Sequence, residues 1–462
     1  MQEHIQLDQK RINKDLLKGV FETPKWWFVA IALLLVIFAT GGVAWGIFLN
    51  KGVGVTGLNR PVMWGVYIVN FVFWIGISHA GIMISAILRL TNAEWRRPIT
   101  RAAEVLTVFS LIAALLAAPI VHEGRPWRAF MPTPWILPWD FSRGVWPNIR
   151  SPFLWDPTAI STYLTASTLF VAIALLPDLA VIRDRSRGIR RAIYSFLCLG
   201  WRGTPRQWKL QTVAGILLSA LVLPVFVSVH SIVSWDFAVQ IGPEAWHSTI
   251  FAPYFIIGAI HSGVAAVATM MVVMIWLWRW DKYIRPDHLD AIGRLLIVVA
   301  CAWFFFFFLE WVFALYTLEG PELAMRELQV FTWPWSAMFV LFLITAFFFP
   351  VPMWLFKRVR RNLLWMFITT LSVNIGMWLE RFLIIVPGLM RRQPMMFDWG
   401  TYHPSIIEIL MVISTFAWVF LGMLIFSKVF PLIPIGDIKE GDVLADKIQI
   451  GRRTVPAVRR EE

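Results

Sequence analysis

Cysteine is nearly absent from this chain: Cys198 and Cys301 are the two in 462 residues. They lie far apart among apolar or basic neighbours, and a zinc or iron–sulfur centre needs about four ligands. No metal centre is therefore expected within the chain, and electron transfer would need a metal in another subunit. Charge is scarce too, at 15% against 58% hydrophobic residues, which excludes a soluble globular domain. A short apolar core with a cleavage site is missing from the polar first 25 residues, so the first apolar run is expected to direct insertion itself. Alternating apolar and polar residues in short segments are also missing, which excludes a transmembrane barrel.

What fills the chain is long apolar runs, near 26–48, 62–90, 102–121, 158–182, 211–234, 249–278, 291–317, 334–356, 362–386 and 405–427. A helix needs about 20 apolar residues to cross a bilayer, and lipid admits only helices or closed barrels. The fold class is thus an all-α integral membrane protein of about ten transmembrane helices. The net charge of +13 is distributed by side: 31 basic residues fall at one set of helix ends and 9 at the other. Positive residues stay inside, so both termini are expected in the cytoplasm and the loop 122–157 outside it. The basic excess reads as an orientation signal, and no nucleic-acid partner is expected.

Gly76-Ile-Ser-His79-Ala-Gly81 in the second run is echoed by Gly258-Ala-Ile-His261-Ser-Gly263 in the sixth. Both read G-x-x-H-x-G in the same direction, four helices apart. This predicts two four-helix bundles related by a parallel repeat, plus two peripheral helices. The expected divisions are a cytoplasmic arm over 1–25, peripheral helix 1 and its outer loop over 26–61, and a first bundle over 62–234. A second bundle over 235–390, peripheral helix 10 over 391–430 and a cytoplasmic tail over 431–462 follow. The aromatic run Trp303 to Phe308 is expected to face lipid or a partner.

Ionisable groups inside a membrane are costly and imply function or pairing. His122, Asp156, His230, Asp236, Glu310, Glu380, Arg381 and Glu408 are expected toward the outer face. His79, His261, Glu104, Arg89 and Asp178 are expected deeper or toward the cytoplasm. His122-Glu-Gly-Arg125-Pro-Trp127-Arg128 at the outer end of the third run and Trp155-Asp156-Pro157 at the start of the fourth form the most loaded pair. A histidine with a pKa near 6.5 and a carboxylate at a helix start suit a hydroquinone, which loses two protons with two electrons. The bland reading is an interfacial aromatic belt with a capping aspartate. His230, Asp236, Glu380 and Arg381 read either as a proton-conducting chain or as a neutralised carboxylate. His79 and His261 read first as hydrogen-bonders between helices, and second as a ligand pair for a b-type haem.

Several stretches, in this order, carry a resemblance to the NrfD/PsrC-like polysulfide reductase membrane-subunit family. They are Trp64 to Phe71 with His79, Arg96 to Glu104, His122 to Pro126, Leu154 to Tyr163, and Asn374 to Arg381. Within that family the chain is most similar to the ActC subunits of bacterial alternative complex III. The resemblance implies a quinol-oxidising subunit of the bacterial inner membrane, with menaquinol or ubiquinol as substrate and His122 and Asp156 as catalytic residues. It also implies that Arg125, Trp127, Trp155 and Arg381 line the pocket, and that His79, Glu104, Asp178, His230, Asp236, His261 and Glu380 are proton-route candidates. The partners it implies are c-type cytochrome subunits, a periplasmic iron–sulfur subunit and a second NrfD-like membrane subunit. Two alternatives stay open: the quinone-reducing anchor of a polysulfide or molybdopterin-type reductase, and an ion or solute transporter without redox role.

Overall fold

A computed structural model describes residues 9–58, 62, 65–117, 155–235, 248–390, 400–444, 447–450 and 453–456. Among them nine helices are long and apolar enough to cross a membrane. In chain order the helices begin with α1 (Gln9–Phe21), α2 (Lys25–Lys51), α3 (Gly65–Leu90), α4 (Thr100–Ala117), α5 (Trp155–Arg185), α6 (Gly188–Leu197), α7 (Pro205–Trp235) and α8 (Phe251–Trp278). They continue with α9 (Pro286–Thr317), α10 (Gly320–Phe331), α11 (Trp335–Leu343), a π-helical turn (Ile344–Phe348), α12 (Pro350–Leu355) and α13 (Lys357–Arg360). The chain ends in α14 (Leu363–Met390), α15 (Ile406–Val429), α16 (Ile435–Leu444) and a short antiparallel pair, Lys447–Ile450 with Arg453–Pro456. α4 overlaps the third expected span, beginning two residues before it, and α11, the π turn and α12 together make one span, Trp335–Leu355.

Local sequence explains several helix ends. Ser405 accepts from the backbone N–H of Glu408 at 3.3 Å while Glu408 accepts from that of Ser405 at 2.7 Å, a reciprocal cap that starts α15. Pro286 opens α9, where its missing N–H costs nothing. Pro177, Pro224 and Pro387 lie inside α5, α7 and α14, as spanning helices tolerate when neighbours take up the freed carbonyls.

The helices assemble as two groups of four spans. The first is α3, α4, α5 and α7, and the second is α8, α9, α11–α12 and α14. α2 and α15 pack along each other at the edge, with α15 also against α4. α3 is buried on nearly every side because it touches α4, α7, α8, α14 and α15. Its partner across the two groups is α8, the helix that carries the repeated motif.

Lipid tails supply no hydrophobic drive between helices, so close approach depends on small side chains. Gly76 and Ala80 on α3 stand four residues apart and meet Ala259 and Gly263 on α8, also four apart. A Cβ on Gly263 would lie 2.1 Å from that of Ala80, and one on Gly81 would lie 2.7 Å from the backbone carbonyl oxygen of Ala103 on α4. The second glycine of each motif is therefore needed for helix contact. The first is not: Cβ atoms on Gly76 and Gly258 would find neighbours at 3.4 and 3.5 Å.

α1 was not expected as a helix. Ile12, Leu16, Leu17 and Val20 recur on one side of it and are buried, the spacing of an amphipathic helix seated on the bundle. Asp15 accepts from the Tyr283 hydroxyl at 3.2 Å, where burial and then Asp15 raise the phenol pKa. The aromatic run from Trp303 needs correction. Phe305 and Phe308 are exposed, but Trp303 is fully buried and bound to a carboxylate of the core. On a helix, successive residues of one run turn to different sides.

The repeat predicts a measurable asymmetry. Gly263→Ala forces α3 and α8 apart and costs on the order of 1–3 kcal/mol of overpacking, lowering the thermal midpoint of the purified protein by several degrees. Gly258→Ala, a change at the other glycine of the same motif, leaves the midpoint essentially unmoved. Equal shifts for the two variants would refute this packing.

Candidate functional site

Five of the expected ionisable groups come together where α3, α7, α8 and α14 meet. His79 Nδ1 and His230 Nε2 are 3.0 Å apart, so one tautomer donates to the other. The His79 ring also stands edge-on to Tyr163 at 3.7 Å between centroids. The Tyr163 hydroxyl donates to the Ser78 carbonyl at 2.9 Å, and Thr107 Oγ1 donates to the same carbonyl at 2.9 Å. α3, α4, α5 and α7 are thereby stitched by polar contacts at one level.

In the other group, Glu380 on α14 has both carboxylate oxygens occupied. Tyr254 Oη and Trp303 Nε1 donate to Oε1, the indole at 2.8 Å, and Arg381 Nη1 donates to Oε2 at 2.7 Å. Arg381 also donates to the Met377 carbonyl at 2.7 Å and reaches Ser262 Oγ at 3.5 Å. Cβ atoms on Gly76 and Gly258 would stand 3.9 and 3.7 Å from Arg381 Nη2. The first glycines of the two motifs thus flank one guanidinium. His261 contacts the Ala346 carbonyl in the π turn at 3.2 Å and stacks on Trp303 at 5.5 Å.

The expected depths are corrected by these contacts. His230, Glu380 and Arg381 were placed nearer the outer face than His79 and His261, yet His79 touches His230 and Arg381 touches Ser262 beside His261. Counting residues from helix ends misses depth because the helices differ in length and start point. Each of the two motif histidines uses one ring nitrogen in these contacts, His79 with His230 beside Tyr163, and His261 with the Ala346 carbonyl beside Trp303. Both histidines do bridge helices.

Two small cavities adjoin this chain. One lies between α3, α8 and α14 beside Tyr254, Glu380 and Arg381. The other lies beside Tyr254, Glu310, Arg326, Gln329 and Glu380. Each leaves about 30 Å³ open to the centre of a water molecule; the first is lined almost wholly by apolar atoms, and the second offers polar partners for one or two waters. Ser248 Oγ donates to Glu310 at 2.5 Å, and Arg326 pairs with Glu322 at 3.1 Å while lying over Trp311. The second cavity therefore runs from Glu380 toward the end of α9 away from the basic side.

A second cluster sits nearer the basic end. Arg101 pairs with Glu104 at 3.1 Å and with Asp178 at 2.9 Å, and all three are buried. Ser85 donates to Glu104 at 3.4 Å, and Asp178 also accepts the backbone N–H of Ile435, where α16 begins. Ser85 and Ser78 are seven residues apart on α3, two turns on one face, so the cluster points along α3 toward His79. Arg101 was counted as an orientation charge and is 1% exposed. Arg97 and Arg360 are likewise buried, against Glu94 and Glu440 and against Asp290. An arginine between two carboxylates is stable in a dry interior, and the positive-inside count cannot tell it from a solvated one.

Of the remaining expected residues, His122, Arg125, Trp127 and Asp236 lie outside the described residues. The backbone of Trp155 and Asp156 opens α5, while their side chains also lie outside. Tyr254, Trp303, Tyr163 and Arg101 were not expected at the site. Only Tyr254 carried a usable signal, four residues before Gly258 of the motif. Glu408 is structural: it accepts from Gly57 N–H and from Tyr402 Oη, at 2.7 and 2.8 Å. Burial and then this carboxylate raise the Tyr402 phenol pKa, keeping the donor protonated. Among the described residues no group of three or more His, Cys, Asp or Glu side chains is placed to hold a metal.

Breaking the Glu380–Arg381 pair from one side strands a buried charge. Arg381→Met is expected to cost about 3–5 kcal/mol, read as a lowered unfolding midpoint. The double change Glu380→Gln with Arg381→Met recovers much of that loss. Strictly additive losses in the two single variants would show that the groups are not coupled.

Known proteins place the chain. A profile described as polysulphide reductase, NrfD, matches residues 54–392. A provisionally named dimethyl sulfoxide reductase membrane subunit of Halobacterium salinarum is 28% identical over 291 residues, 63% of this chain and 60% of that protein. The chain thus spans under two thirds of that relative. The Hdr-like menaquinol oxidoreductase integral membrane subunit of Archaeoglobus fulgidus is 21% identical over 88% of this chain and 94% of its own length. A selenate reductase subunit of Mesobacillus selenatarsenatis is 22% identical over 79% and 82%. With the family profile covering most of its spans, this multi-pass protein belongs to the NrfD family of polysulphide reductase membrane subunits.

Proposed function

We propose that this chain is the quinol-oxidising membrane subunit of a respiratory or photosynthetic electron-transfer complex. The observation that carries the reading is membership of a family whose relatives are membrane subunits of redox complexes. One of them, matched along 94% of its length, is named for menaquinol. In the proposed reaction His122 and Asp156 take the two hydroquinone protons, and Arg125, Trp127 and Trp155 hold the ring. Two electrons pass to a periplasmic iron–sulfur subunit and on to c-type haem subunits. A second NrfD-like subunit shares the membrane, and both termini face the cytoplasm.

The buried chain supports a proton route. A carboxylate held by three donors and two histidines in contact offer sites for a proton between the two helix groups. The cavity beside Glu310, Arg326, Gln329 and Glu380 leaves room and polar partners for the waters a relay needs. Asp236 and the cluster of Glu104 and Asp178 extend this proposed route toward the two faces. Arg381 sets the charge of its centre.

The opposite direction, a quinone-reducing anchor, is the alternative; relatives named for reducing dimethyl sulfoxide or selenate need an electron donor, which fits quinol oxidation. The same variants test both. Asp156→Asn and His122→Ala are expected to abolish quinol-dependent reduction of the intact complex without altering its assembly. Normal turnover in both removes this site, whereas loss confined to quinone reduction by reduced partner subunits reverses the direction.

A further inference from the structure

One strongly charged segment takes no part in the buried chain. Between α5 and α7, residues 183–209 hold eight Lys or Arg residues and a single acid, Asp184. That acid is already paired with Arg183 at 2.8 Å. Within the segment, α6 has three distinct sides. One is fixed to the protein: the Tyr194 hydroxyl donates to the Val429 carbonyl at 2.7 Å, and Arg190 donates to the carbonyls of Val20 and Lys428. The second is apolar and faces away, with Ile189 81%, Phe196 78% and, just past the helix, Leu199 77% exposed. The third carries Arg187 and Arg191, four residues apart and exposed, with Arg206 and Lys209 exposed on the first turns of α7. Among the described residues these four make no ion pair.

We propose that α6 and the start of α7 form a foot lying in the membrane surface that binds anionic phospholipid. Ile189, Phe196 and Leu199 enter the acyl layer, and Arg187, Arg191, Arg206 and Lys209 hold the phosphodiester headgroups. A helix that is apolar on one side and basic on another, set between two spanning helices, lies in the interfacial plane. Trp208, partly exposed beside them, suits the headgroup level, where indoles collect. Charge complementarity selects the occupant. A protein docking here would have to be apolar and acidic within one helix width, whereas a leaflet holding anionic lipid offers acyl chains below and phosphates above. A zwitterionic leaflet supplies the first and not the net charge.

The experiment uses the full chain in its native complex, placed in nanodiscs of phosphatidylcholine with or without phosphatidylglycerol. Lipid retained after extraction is counted by native mass spectrometry. Phosphatidylglycerol is expected to be retained in preference to phosphatidylcholine. Retention is expected to fall by at least about tenfold in the R187Q/R191Q/R206Q/K209Q variant. The K357Q/R358Q variant, which removes exposed charge from the same end, keeps it, and inorganic phosphate does not displace it. Unaltered retention in the fourfold variant, equal loss in the control variant, or displacement by inorganic phosphate would each overturn the proposal. A photo-reactive residue at Phe196 supplies a readout without loss of charge: cross-links to lipid support the foot, and cross-links to another subunit refute it.

Discussion

The close crossing of α3 and α8 is the constraint on which the other features depend. In a membrane the association of helices rests on contact and on polar bonds, since apolar surface gains nothing by leaving lipid. Gly263 against Ala80 lets the two backbones approach, and the crossing also shelters the guanidinium of Arg381 beside Gly76 and Gly258. Each half of the repeat therefore does two things with its two glycines. The second makes room for a helix and the first makes room beside a charge. A side chain larger than alanine at the first position would displace Arg381 and with it the pairing of Glu380.

That crossing also explains why the polar residues form a chain. Every ionised group inside the bilayer needs a partner, and partners are available only where helices are close. His79 with His230, and Glu380 with Arg381, Tyr254 and Trp303, lie on either side of the α3–α8 contact. The Arg101 cluster lies further along α3 toward the basic end, where the start of α16 closes over Asp178. Arg96 and Arg97 then bind Asp437 and Glu440 of the same tail helix at 3.0 and 2.8 Å. The tail is thus held by charges at the mouth of the cluster.

Much of this was legible in the residues themselves. Apolar length marked the spans, and the repeated histidine motif singled out α3 and α8, the two helices that pack against each other across the centre. Depth was less legible. His79 and His230 belong to helices entered from opposite sides, so no count along one run predicts that their rings touch. Tyr254 was passed over and Trp303 was assigned to a lipid- or partner-facing surface because aromatic residues are abundant in this chain, and only a neighbouring carboxylate separates a donor from packing. α1 and α6 were hidden for a different reason. Their polar faces outweigh their apolar ones in any running average, although Ile12, Leu16 and Val20 in one, and Ile189, Ile193 and Phe196 in the other, keep helical spacing.

The basic residues divide in a way that composition alone cannot anticipate. Arg97, Arg101 and Arg360 are withdrawn from water and spend their charge on carboxylates of the same chain. Arg187, Arg191, Arg206 and Lys209 remain exposed. Both sets lie at the same end of the bundle and contribute equally to a charge count, but their physics differs. A guanidinium buried between two buried carboxylates, as Arg101 is, responds little to salt or to the lipid around it. An exposed one interacts with whatever charge the leaflet carries, over roughly a Debye length of about 8–10 Å. The first set holds the tail and helices of this subunit together, and the second is left to meet the membrane, which is why an orientation signal and a lipid site can occupy one stretch of sequence without conflict.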